Sequence, residues 1–266
     1  MKKKIFNFLK VIAGLYLILC ATLYVFQEKL IFFPQQLEKN FQFNFGQNFD
    51  ELNFETSDGK LLNGLLFRSD STKGLIFYLH GNAGSLKSWG NVAKTYTELN
   101  YDVFILDYRS FGKSEGTINE QKQLFEDNEM IYKELKKDYK EEDIIILGYS
   151  IGTGLASKLA SNNKPKQLIL QAPYYSLTDM MRQRFSFIPT FILKYKFATN
   201  EYLKNCEMPI TIFHGNQDRV INYASSLKLK EEFKTKVNLI TLNEQGHNGM
   251  TDNKEYKKEL KNILNK

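Results

Sequence analysis

A serine set between two glycines, Gly148-Tyr149-Ser150-Ile151-Gly152, closes an apolar run and opens a stretch of small residues. A serine hydroxyl is a weak nucleophile at neutral pH and needs a positioned base to take its proton. The chain has three histidines, His80, His214 and His247. His247 stands in "QGHNG", a glycine-flanked loop after the last apolar run, long enough to fold over a sheet end. It is the candidate general base. His80 and His214 each precede a glycine at the end of an apolar run and are read as structural rings bonded to neighbouring loops. Asp218, in "HGNQD", lies 29 residues before His247 and is the candidate acid, fixing the imidazole tautomer and stabilising the imidazolium. The competing reading of Asp218 is an Asx turn that opens "QDRVIN". Asp179 is the runner-up acid, and Asp107 is read as structural. Nucleophile, acid and base thus follow one another along the chain as Ser, Asp, His.

For Ser150 to stand exposed, a strand must turn at once into a helix. Glycines at 148 and 152 remove Cβ atoms where strand and helix backbones would collide. The helix N-terminus then offers free N–H groups to an oxyanion. The loop "HGNAG" (80–84) supplies the other half, because small residues let a backbone N–H approach the developing charge. Each such donor contributes roughly 3–4 kcal/mol. The expected donors are the N–H groups of Asn82 and Ile151, with Ala83 the alternative to Asn82. Dehalogenase-type chemistry would want Asp at position 150. The two cysteines are Cys20, inside the N-terminal apolar run, and Cys206, so no disulfide is expected. Without a His–Cys cluster no metal site is expected, and this chemistry needs no organic cofactor.

The elements that must carry these groups alternate. A hairpin over 52–68 turns at Asp58-Gly59. Strands follow at 74–81, 101–109, 143–149, 166–173, 209–215 and 237–244, as short apolar runs. Helical spacing marks 85–99, 119–139, 151–162, 223–234 and 252–265. The alternation predicts a mostly parallel sheet with helices on both faces and antiparallel strands at one edge. Functional groups in such a sheet lie outside the carboxyl ends of its strands, where each candidate above falls. The segment 174–205 is aromatic and basic, with Phe185, Phe187, Ile188, Phe191, Ile192 and Phe197 as a candidate apolar face. It either caps the site and shapes an acyl pocket or packs on the sheet top. With Arg182, Arg184, Lys194 and Lys196, that face is also a candidate for bilayer contact.

Lys2, Lys3, Lys4 and Lys10 precede Val11–Phe26, 16 residues without a formal charge. Counted from Ile5, the run spans roughly 30 Å as a helix, one hydrocarbon thickness. An uncleaved signal anchor over 1–30 is expected, ahead of a body over 31–266. A cleaved signal peptide would want a shorter core and a small-x-small site, and "CATLYVF" offers none. The lysines favour a cytoplasmic N-terminus and a body outside the cytoplasmic membrane, periplasmic or at the cell surface in a bacterium. The net charge of +6 is spread over helix faces among Asp and Glu, which argues against nucleic acid and allows weak attraction to anionic lipid. Hydrophobic residues at 42% and charged residues at 25% suit one large globular domain.

The motifs "HGNAGS", "DYRSFGKSEG", "GYSIGTGLA", "HGNQDRVI" and "GHN" together resemble the α/β-hydrolase superfamily. The chain is most similar to its membrane-anchored members with one N-terminal helix, the Bem-type and ABHD-like hydrolases, and "EKLIFFPQ" (28–35) shares in this. The resemblance runs from about residue 28 to 250. It implies an α/β-hydrolase fold: a mostly parallel central sheet flanked by helices, with a small cap of about 35 residues. It also implies Ser150, Asp218 and His247 as triad, and Asn82 and Ile151 as oxyanion donors. The expected activity is cleavage of ester or thioester bonds through an acyl-enzyme, on lipid or acylated substrates at a membrane. An aminopeptidase-type peptidase, or a membrane-tethered binding protein without turnover, is the alternative.

Overall fold

The computed structural model describes residues 1–265. The chain opens with α1 (Lys2–Val25), followed by a short α2 (Gln27–Ile31) and a two-residue strand β1 (Phe33–Pro34). The hairpin is β2 (Phe49–Glu55) and β3 (Leu61–Phe67). Next come β4 (Leu75–Leu79), the two-residue β5 (Ala83–Gly84), α3 (Leu86–Trp89), α4 (Lys94–Thr97) and β6 (Asp102–Leu106). The remaining strands β7 (Ile144–Tyr149), β8 (Gln167–Gln171), β9 (Ile210–Gly215) and β10 (Val237–Leu242) alternate with helices. These are α5 (Gln121–Leu135) before β7, α6 (Gly152–Asn162) after it, and α7 (Leu177–Arg184) and α8 (Thr199–Leu203) after β8. α9 (Ala224–Glu232) precedes β10, and α10 (Lys254–Leu264) follows it.

Eight strands form one sheet in the order β10-β9-β8-β7-β4-β6-β3-β2. From β10 through to β6 all neighbours are parallel, while β3 and β2 add the expected antiparallel edge. The inner strands are buried on both faces, which is why they read as continuous apolar runs. Along β4, Leu75, Phe77 and Leu79 pack on one side with α5 and α6 residues such as Ile131 and Leu155. Ile76 and Tyr78 face the other side, with Tyr96, Tyr256 and Leu260. Each large side chain so buried contributes about 1.5–3 kcal/mol. The chain leaves β4 for β6 on one side, then crosses to β7 on the other. The sheet therefore reverses direction beside β4 and β7, where ligands of such sheets bind.

Two readings of the sequence change. The single helix expected over 85–99 is instead α3 and α4 joined by a 3-10 turn at Gly90–Ala93. The ring of Phe45 occupies the space a Cβ at Gly90 would take, so the helix bends around it. The second change is the parallel pair β1–β5, with Phe33 opposite Ala83 and Pro34 opposite Gly84, which no periodicity announces. α1 buries none of its residues and is long and apolar enough to cross a membrane.

Candidate active site

Ser150 sits directly after β7 with φ +54°, a left-handed conformation that a non-glycine residue adopts only when its surroundings hold it there. Its N–H donates to the Gln171 carbonyl at 2.9 Å, and its own carbonyl accepts from Thr153 N–H and Oγ1 at 3.0 and 2.6 Å. The flanking glycines are sterically required. A Cβ at 148 would lie 2.6 Å from the Gly152 carbonyl oxygen and 2.7 Å from the Ala156 Cβ, the strand–helix collision expected. A Cβ at 152 would instead overlap the carbonyl oxygens of Leu79 and His80, so this glycine admits α6 against the neighbouring strand β4.

The three expected side chains meet. His247 Nε2 is 3.0 Å from Ser150 Oγ, and His247 Nδ1 is 2.6 Å from Asp218 Oδ2. With Nδ1 facing a carboxylate, that nitrogen carries the proton and Nε2 offers its lone pair to the serine hydroxyl. The His247 loop is tied down by the Tyr149 hydroxyl, which donates to the His247 carbonyl at 2.8 Å. Asp218 Oδ1 accepts from the N–H groups of Val220 and Ile221 at 2.8 and 2.9 Å. Burial alone would raise this carboxyl's pKa. Hydrogen bonds from His214 and His247, the charge of His247 and the Ile221 N–H outweigh it and hold Asp218 well below the usual carboxylate range.

His214 is buried and bonded on both ring nitrogens, and its place is informative. Its Nε2 lies 3.2 Å from Asp218 Oδ2 and 3.1 Å from the Ile221 carbonyl, and its Nδ1 2.6 Å from Ser226 Oγ. Facing two acceptors, Nε2 carries the proton and Nδ1 accepts from Ser226. Two imidazoles therefore converge on one carboxylate oxygen. The i, i+4 spacing of His214 and Asp218 in "HGNQD" is the sequence signal for this contact. His80 is fully buried, with Nδ1 2.7 Å from the Gly81 carbonyl and Nε2 3.5 Å from Asp107 Oδ1. Both Asp107 oxygens accept from the Leu86 N–H. The runner-up Asp179 pairs with Lys228 at 2.8 Å and accepts from Gln183, away from His247.

Asn82 and Ile151 line the same cavity as Ser150. Among the described residues neither backbone N–H donates to a protein acceptor, so both are free for a ligand oxygen. The loop that carries Asn82 is held from outside the sheet. Phe33 N–H donates to the Asn82 carbonyl at 2.8 Å, Gln35 N–H to Gly84 at 2.8 Å, and the Asn82 side-chain amide to the Ile31 carbonyl at 3.0 Å. The segment "EKLIFFPQ" thus braces this loop, a role its sequence does not advertise.

The cavity beside Ser150 measures about 630 Å³ and is almost wholly apolar. The cap supplies part of its wall, with Met181 and Ile188 among the residues. The candidate apolar face of 174–205 divides: Ile188, Ile192 and Phe197 are buried, Phe185 and Phe187 are exposed but line the cavity, and Phe191 is exposed outside it. Lys194 is not free for lipid, since it pairs with Glu28 at 3.0 Å. The opposite wall comes from the N-terminal helices, through Leu19, Leu23, Leu30 and Ile31. Composition does not announce this wall, because apolar residues facing lipid and apolar residues facing a pocket look alike.

A hydrolase family model described as serine aminopeptidase, S33, matches residues 70–201. The uncharacterized protein R595 of Acanthamoeba polyphaga mimivirus is 32% identical over 206 residues, 69% of each chain. The lysophosphatidylserine lipase ABHD12 of Danio rerio is 28% identical over 180 residues, 60% of this chain but only 47% of that protein. Among solved structures, the Pyrococcus furiosus esterase PF2001 superposes with a TM-score of 0.71 at 19% identity, covering 88% of this chain and 97% of the esterase. Sheet order, the turn at Ser150 and these matches agree, and the chain belongs to the α/β-hydrolase superfamily.

Proposed function

We propose that the protein is a serine hydrolase that cleaves carboxylic ester or thioester bonds of lipid or acylated substrates at a membrane. The observation that carries this reading is the unbroken hydrogen-bonded series Ser150–His247–Asp218 at the mouth of an apolar cavity. His247 Nε2 takes the Ser150 proton as Oγ attacks the substrate carbonyl carbon. The negative charge moves onto the carbonyl oxygen, where the N–H groups of Asn82 and Ile151 receive it. Asp218 stays ionised, balances the imidazolium and holds the ring in place. The tetrahedral species collapses, and His247 returns the proton to the departing alcohol or thiol. Water, deprotonated by the same His247, then cleaves the acyl-enzyme and frees Ser150.

The apolar lining favours an acyl group over a peptide. Among the described residues that line it, Arg184 is the one with a charge and none carries a carboxylate to hold the α-amine of an aminopeptidase substrate. α1 serves in this reading as the membrane anchor, with its lysine-rich end in the cytoplasm and the body of the protein on the other side. The deciding experiment is labelling of the purified full chain with a fluorophosphonate. Wild type labels, and Ser150→Ala and His247→Ala do not. A folded wild type that fails to label removes the catalytic reading and leaves a tethered binding protein.

A further inference from the structure

The wall that α1 gives to the cavity has a consequence for how substrate arrives. Leu19 and Leu23 stand one turn apart on the helix face that borders the cavity, within the segment long and apolar enough to cross a membrane. The helix is fastened to the cap rather than lying loose beside it. The Tyr16 hydroxyl donates to the Phe187 carbonyl at 2.7 Å. Just past α1, the buried Gln27 side chain donates to the Ile192 carbonyl at 3.1 Å and accepts from Lys194 N–H at 2.8 Å. Glu28 accepts from the Tyr195 hydroxyl at 3.1 Å besides pairing with Lys194.

Depth follows from the helix rise. Tyr16 precedes Val25, the end of α1, by nine residues, or about 14 Å. A helix that crosses the bilayer therefore carries the Phe187 end of the cap down to hydrocarbon level. The side chains at that end suit such surroundings: Phe185, Phe187 and Phe191 are 52%, 63% and 84% exposed. Exposed rings of this size are costly in water and favourable in acyl chains. One continuous apolar surface thus runs from the bilayer, between α1 and the cap, to Ser150.

We propose that the long acyl chain of a membrane-resident substrate enters sideways from the bilayer between α1 and the cap, and that Leu19 and Leu23 of the anchor helix set the acyl length accepted. This rests on the serine-hydrolase reading of Ser150. The anchor is then a specificity element as well as a tether. The substrate is an ester or thioester whose acyl chain never crosses water on its way to the nucleophile.

The test uses the full chain in lipid nanodiscs, with p-nitrophenyl esters from acetyl to hexadecanoyl. In Leu23→Trp the ratio of hexadecanoyl to acetyl turnover falls at least tenfold, because the indole narrows the passage between α1 and the cap. Leu19→Ala shifts the preferred chain towards longer acyl groups. Leu17→Trp, on the opposite face of α1, leaves the ratio as in wild type. Hexadecanoyl ester placed in the same nanodiscs as the enzyme is cleaved at least tenfold faster than the same ester held in separate discs. An unchanged ratio in both Leu23→Trp and Leu19→Ala overturns the role of the helix. Equal rates from same and separate discs overturn sideways entry. If wild type cleaves no ester of any length, the hydrolase reading itself falls, an outcome visible before any variant is made.

Discussion

Two histidine–aspartate pairs hang from strand ends of the same sheet, and their surroundings give them opposite characters. His247 and Asp218 follow β10 and β9, in loops that meet above the sheet. Asp218 gathers N–H donors on both oxygens and is held strongly acidic, while Nε2 of His247 faces Ser150, which lines the cavity. His80 and Asp107 follow β4 and β6. Here the ring is packed among Trp89, Tyr108 and Phe111, at centroid distances of 5.5, 4.3 and 5.3 Å. Burial drives the Asp107 carboxyl the other way, to a raised pKa that the nearby His80 ring and the Leu86 N–H offset only in part. Residue types and sheet position are shared. What differs is whether the carboxylate is saturated with donors and whether the ring has an open side.

The sharpest way to break this contrast is by kinetics. Ser150→Ala or His247→Ala lowers kcat/KM for an ester by roughly ten-thousand-fold or more, and Asp218→Asn by about as much, while each variant still folds. The mirror experiment is unfolding. His80→Ala empties a sealed site among aromatic rings and lowers stability by about 3 kcal/mol in urea titration. Its activity per folded molecule falls far less than that of His247→Ala. If His80→Ala were instead stable and inactive, the division of labour between the pairs would be wrong.

Acid titration separates the two carboxylates by sign. The depressed pKa of Asp218 adds stability above the unfolded carboxylate value of about 4, and that contribution is lost as pH falls through the native value. The raised pKa of Asp107 does the reverse: ionisation costs stability, and the cost grows as pH rises from about 4 through the raised native value. The rise in Tm between about pH 2.5 and 6.5 is therefore smaller than wild type in Asp218→Asn and larger in Asp107→Asn. The smallest effect concerns the second ring on Asp218. His214→Phe removes one donor from Oδ2 and slows turnover about tenfold, the kinetic equivalent of roughly 1.5 kcal/mol. Ser226→Ala, one bond further out, slows it by about twofold.

Much of this site was legible because its chemistry is local. The turn at Ser150 needs glycines at fixed offsets, and strand-end loops declare themselves by where apolar runs stop. The unread parts depend on contacts far apart in sequence. A two-residue strand such as Phe33–Pro34 has no period to detect, and its partner lies 50 residues away. Gly90 looks like a tolerable helix glycine until Phe45 is seen against it. The aromatic residues of the cap share one composition but divide between core and surface once α1 and α2 cover part of them. For the same reason the second wall of the cavity stayed hidden in a segment whose composition already had a sufficient explanation.

The bracing of the Asn82 loop by Phe33 and Gln35 bears on how the protein is handled. Cutting the chain at residue 36 to rid it of its greasy leader would leave the sheet and the Ser150–His247–Asp218 series in place. It would also withdraw the backbone that steadies the Asn82 loop, which carries one of the two proposed oxyanion donors. Such a fragment could dissolve, crystallise and do little chemistry, and its inertness would describe the scissors. A cut just ahead of Gln27 keeps both the brace and the Gln27 and Glu28 bonds to the cap. It still removes Leu19 and Leu23, so on the proposed reading such a fragment keeps its chemistry and loses its choice of acyl length.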